Sequence, residues 1–100
     1  LLLALCLAAG LDGIKNKIEP PKAVNSNIFE LSEKEMKKAK IESLPSSLHQ
    51  AIKEMEADPF IREVLGDHVF SKYVEAKRAE WDNYRLQVTQ WEIDEYLYKI

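Results

Sequence analysis

The residue types in this chain that could do chemistry are two histidines, one cysteine and a short run of carboxylates. Neither His49 nor His68 has a histidine, cysteine or carboxylate at a spacing that would complete a metal site. Glu54, Glu56 and Asp58 are close in sequence, but helix surfaces commonly carry such carboxylates, and no acid–base pair is implied. We therefore predict no metal site and no catalytic residue here, with both histidines at or near the surface.

Cys6 is the only cysteine, so no internal disulfide can form, and a reducing, cytoplasmic compartment is favoured. No base or cation accompanies Cys6 in sequence, and we interpret it as a small core residue rather than a catalytic thiol. Gly10-Leu11-Asp12-Gly13 lacks the glycine spacing and the lysine of a phosphate-binding loop. No cofactor-binding residue is therefore predicted.

The charge distribution argues against a nucleic-acid partner, because the net charge is −3 and the lysines are interleaved with glutamates. The apolar start, Leu1 to Gly10, resembles the apolar part of a signal peptide. It has no initiator methionine and no preceding basic residues, and it is too short to span a bilayer. We expect neither secretion nor a membrane partner, and interpret this start as a buried helix cut from a longer protein.

The elements that would position any functional group are predicted to be helices. A long amphipathic helix begins near Asp67, with Lys77 in the middle of its apolar face. The other residues of that face are Phe70, Tyr73, Val74, Trp81, Tyr84 and Val88. Most of the large aromatic residues lie from Tyr73 onward, which indicates an anchor against another surface.

Local signals divide the rest of the chain into further helices. A helix is predicted from Leu1 to about Lys17. Capping boxes are indicated where a hydroxyl residue precedes Glu or Gln by three positions, as in Ser32/Glu35, Ser47/Gln50 and Thr89/Glu92. Asp58-Pro59 should start a helix, Gly66 should end it, and Asp67 should cap the next one. No stretch alternates between apolar and polar residues with a period of two, as a half-buried strand would. We therefore predict an all-α piece of five or six helices.

Two segments, LAAGLDGIKNKIEPP (Leu7 to Pro21) and EAKRAEWDNYRLQVTQWEIDEYL (Glu75 to Leu97), resemble the C-terminal end of a type I glutamine synthetase. The order of intervening pieces agrees along all 100 residues, and LPSSL with the EWDNYRLQVTQWE ending is more similar to the alpha subdivision. The resemblance implies that residues 1–100 are the C-terminal helical part of an α+β catalytic domain. The parent would make glutamine from glutamate, ammonia and ATP with Mg²⁺ or Mn²⁺, and its catalytic motifs match no position here.

The resemblance also implies a homo-oligomer of two stacked hexameric rings, in which residues 88–100 form a helical tail that contacts the facing subunit. The positions that match this contact are Trp91, Tyr96, Leu97, Tyr98 and Ile100. We expect Trp81 and Tyr84 to pack within their own subunit. In some bacterial members of this family, the C-terminal region binds nitrogen-response transcription factors. The resemblance therefore makes such a regulator a candidate partner.

One departure from the family concerns regulation. Beta-type members are adenylylated on a tyrosine in a segment that matches Asn27 to Leu31, where this chain has Phe29. Phe29 has no hydroxyl, so the resemblance implies that this control is lost. The alternative to an enzyme segment is a free-standing helical interaction module, and the apolar helix at Leu1 to Leu11 separates the two hypotheses. An independent module should not expose such a helix, whereas a piece of a larger protein would.

Overall fold

The computed structural model describes residues 1–99, which contain helices and turns and no β-strand. The prediction of an all-α piece is confirmed. The helices are α1 (Leu2–Lys15), α2 (Glu33–Lys38), α3 (Leu48–Ala57), α4 (Pro59–Leu65), α5 (Asp67–Arg85) and α6 (Gln90–Glu92). A 3₁₀ turn at Ile28–Glu30 precedes α2, and a π-helical turn at Ile93–Leu97 follows α6. The chain forms two compact units, Leu1–Ser46 and Ser47–Ile100.

In the first unit, α1 is helical as predicted, but none of its residues is buried. Cys6 is exposed, so its assignment as a core residue is wrong for this chain. The reason is that residues 16–46 of this unit provide only one turn and one short helix, neither with a buried residue. The helix itself forms because leucine and alanine have high helix propensity, whatever packs against them.

Two lysines end helices of the first unit in the left-handed conformation. Lys17 (φ 51°) follows α1 and Lys40 (φ 57°) follows α2. The backbone N–H of Ile18 then reaches the carbonyl of Gly13 at 2.9 Å, and that of Ile41 reaches Met36 at 2.9 Å. These hydrogen bonds satisfy carbonyls that the helix ends would otherwise leave unpaired, in an arrangement where glycine is more usual.

In the second unit, α3, α4 and α5 pack around a small core. Its buried residues are Ile52, Phe70 and Val74, flanked by the partly buried Leu48, Met55, Ile61, Leu65 and Trp81. The predicted starts of α3 and α4 and the predicted end of α4 are confirmed here. Ser47 Oγ accepts from the Gln50 N–H at 3.2 Å, and Asp58 Oδ1 accepts from the Phe60 N–H at 3.0 Å. Gly66 ends α4 with φ 80°, a conformation that glycine adopts without strain.

Two local predictions for α5 are wrong. Asp67 is the first helical residue of α5, and the cap is Gly66. The Asp67 carboxylate accepts a hydrogen bond from the Arg62 guanidinium at 3.3 Å. Val88 lies beyond α5, because the helix ends at Arg85 in a turn in which the Gln87 N–H reaches the Tyr84 carbonyl at 3.0 Å. Lys77 is half-buried, which agrees with the prediction that its stem packs on the apolar face. Its ammonium hydrogen-bonds Glu80 at 3.0 Å, which raises the pKa of Lys77.

Within residues 1–99, no helix has both the length and the apolar character needed to cross a bilayer.

Candidate functional site

The aromatic tail after α5 starts at a capping box that the sequence predicted. The N–H and hydroxyl of Thr89 donate to the Glu92 carboxylate at 2.6 Å and 2.9 Å, and the Glu92 N–H donates back to Thr89 Oγ1 at 3.2 Å. The backbone hydrogen bond, followed by that of the hydroxyl, lowers the pKa of Glu92. The start of α6 is therefore fixed by a charged carboxylate.

The tail side chains predicted to contact another subunit are mostly exposed in this chain. Trp91 and Tyr96 meet edge to face, with ring centroids 5.8 Å apart and an interplanar angle of 82°. Each retains about three-fifths of its exposure, as does Leu97, and Tyr98 retains 82%. Ile100 lies outside the described residues. The structure thus brings two of the predicted residues together and leaves an aromatic surface uncovered.

Two further side-chain hydrogen bonds join residues of the tail. The Gln90 amide donates to Asp94 Oδ1 at 2.9 Å, and the Lys99 ammonium pairs with Glu95 at 2.9 Å. Both link residues four positions apart, which lie on the same side of a helix. An exposed aromatic surface on an ordered segment is suited to contact with another protein surface rather than to bond-making chemistry.

Phe29 lies at the centre of the 3₁₀ turn in the first unit. The Asn27 side chain accepts from the Phe29 N–H at 3.2 Å, and the Glu30 N–H reaches the Asn27 carbonyl at 3.1 Å. The Phe29 ring is 99% exposed. The position is therefore accessible to a second protein, and the residue there has no hydroxyl.

A groove of about 550 Å³ lies between α3 and α5. The His49 ring stacks on the Trp81 indole with centroids 5.6 Å apart, and Trp81 in turn contacts Tyr84 at 5.9 Å. Arg78 of α5 forms an ion pair with Glu56 of α3, while Lys53 lines the groove between these contacts. The placement of Trp81 within the unit agrees with the expected packing. His49 is exposed, as predicted.

Sequence reasoning did not identify this groove. The available signal is helical spacing in both segments: His49, Lys53 and Glu56 on α3 and Arg78, Trp81 and Arg85 on α5 are each separated by steps of three and four residues. Each set follows one side of its helix. That the two sides face each other depends on packing between segments 22 residues apart at the Arg78–Glu56 pair.

Among residues 1–99, no group of three or more His, Cys, Asp or Glu side chains is placed to hold a metal ion. The residues present therefore do not form the divalent-metal site that the resemblance implies for the parent enzyme. The candidate functional surfaces among the described residues are the tail, the Phe29 turn and the α3–α5 groove.

Comparison with known proteins agrees with the resemblance found in the sequence. Three glutamine synthetases are similar over almost the whole chain. The relative from Methanosarcina mazei is 53% identical over 97 residues, covering 97% of this chain and 22% of the relative. The relative from Clostridium saccharobutylicum is 48% identical over 99 residues, covering 99% and 22%. The relative from Thermus thermophilus is 46% identical over 97 residues, covering 97% and 22%.

The chain thus spans about a fifth of the length of the curated relatives it matches. The family model described as "Glutamine synthetase, catalytic domain" matches residues 1–96, which is nearly all of the chain and includes both the Phe29 turn and most of the tail. The chain therefore belongs to the glutamine synthetase family.

Proposed function

We propose that this chain is the C-terminal structural and oligomerisation segment of a glutamine synthetase, an ATP-dependent ligase that joins glutamate and ammonia. The observation that carries the proposal is the match of residues 1–96 to the catalytic-domain family model. Residues 1–100 would then belong to the catalytic domain, with residues 88–100 as its helical tail. ATP and Mg²⁺ or Mn²⁺ would be bound by the rest of the parent, in the cytoplasm.

The activity is tested on the full-length protein that contains this chain. With glutamate, ATP, a divalent metal and hydroxylamine in place of ammonia, we expect γ-glutamyl hydroxamate to form. The 100-residue chain assayed alone should form none. A full-length protein that binds ATP but transfers no γ-glutamyl group to either amine would contradict the proposal and leave the helical-module alternative.

The contact function is assigned to the tail. In a homo-oligomer of two stacked hexameric rings, Trp91, Tyr96, Leu97, Tyr98 and Ile100 would pack against the facing subunit. Support comes from the exposed aromatic surface that Trp91 and Tyr96 share, since burying one large aromatic residue contributes roughly 1.5–3 kcal/mol. Ending the full-length protein after Val88 should halve its native mass. An unchanged mass would count against the assignment.

Regulation is the remaining part of the proposal. We place the chain in the alpha subdivision, because Phe29 occupies the position of the modified tyrosine and LPSSL is present. A nitrogen-response regulator is a candidate partner of the tail. If it is one, a pull-down of that regulator from extract should fail with the protein that ends after Val88, and equal recovery would contradict the idea.

A further inference from the structure

We draw no further inference here: the strongest candidate, the groove between α3 and α5 in which His49 stacks on Trp81 beside Lys53, carries no proposal because nothing in the structure shows what covers it.

Discussion

Phe70 is the least exposed of the three buried residues in the second unit. Its side chain is 2% exposed, between α3, α4 and α5, and the Arg62 guanidinium covers its ring 4.4 Å from the centroid. Replacing Phe70 with alanine removes the largest of the buried side chains and leaves a cavity. We expect Phe70→Ala to lower the free energy of unfolding by about 3–5 kcal/mol, measured by urea denaturation followed by circular dichroism.

Tyr84→Ala is the control for that variant, because Tyr84 is an aromatic residue of the same helix with 66% exposure. It should change the free energy of unfolding by less than about 1 kcal/mol, as is usual for surface substitutions. Equal losses in the two variants would show that the core assignment is wrong.

The proposed loss of adenylylation can be tested at Phe29 by adding a single oxygen atom. Phe29→Tyr adds a hydroxyl at a position that is 99% exposed on an ordered turn, so the substitution should not disturb folding. In the full-length protein treated with an adenylyltransferase of a beta-type relative and ATP, we expect the variant to gain one adenylyl group by mass spectrometry. The parent sequence should gain none; its modification would show that another residue is the acceptor.

Among the elements, the start of α6 has a pH dependence that follows from its capping box. The hydrogen bonds from Thr89 lower the pKa of Glu92, so the folded tail favours the ionised carboxylate. A lowered folded-state pKa contributes stability above the usual glutamate range, and this contribution is lost as the pH falls through the lowered pKa. We expect the NMR backbone chemical shifts of residues 90–97 to move from helical values toward random-coil values in that acidic range.

Two variants separate this cap from general acid unfolding. Glu92→Gln should remove the part of the tail's pH dependence that comes from the capping box, because the amide at position 92 does not titrate. Thr89→Ala should destabilise α6 by about 1 kcal/mol at neutral pH. If the wild-type tail and Glu92→Gln lose helicity together on acidification, the cap is not the cause.

For the molecule as a whole, the exposed apolar helix α1 decides how the isolated chain behaves. Leu2 and Leu3 are 74% and 84% exposed, and Leu7, Leu11 and Ile14 are exposed as well. We expect the 100-residue chain to self-associate through α1, because a contiguous exposed apolar surface favours contact with another apolar surface. Light scattering coupled to size exclusion should give a mass above the 11.6 kDa of one chain.

Two variants with the same added charge test this prediction, one with the charges in α1 and one with them outside it. Leu3→Glu with Leu7→Glu should return the chain to the monomeric mass. Val24→Glu with Leu44→Glu, which changes exposed apolar residues outside the helices, should not. A wild-type chain that stays monomeric at high concentration would contradict the prediction and weaken the interpretation as a piece of a larger enzyme.

Much of this protein is determined by its sequence because the deciding interactions are local. The capping boxes at Ser32 and Thr89 join residues three positions apart. The Asp58 side chain caps α4 by accepting from the Phe60 N–H, two residues on. Gly66 ends α4 because glycine adopts a positive φ without strain. The family could likewise be predicted, since it depends on the order of residue types along the chain. Such features can be read without knowing what packs against what. The contact role of the tail residues stays a prediction.

Only the tertiary structure decided the features that depend on distant segments. It determined that Phe70 and Val74 are buried while Tyr73 and Tyr84 of the same predicted face remain exposed, because α3 and α4 cover one part of that face. It also brought Lys53 and Trp81 to one groove and left Cys6 uncovered. Periodicity identifies a helix face, but the partner that covers each turn of it is set by packing between elements, which no local pattern encodes.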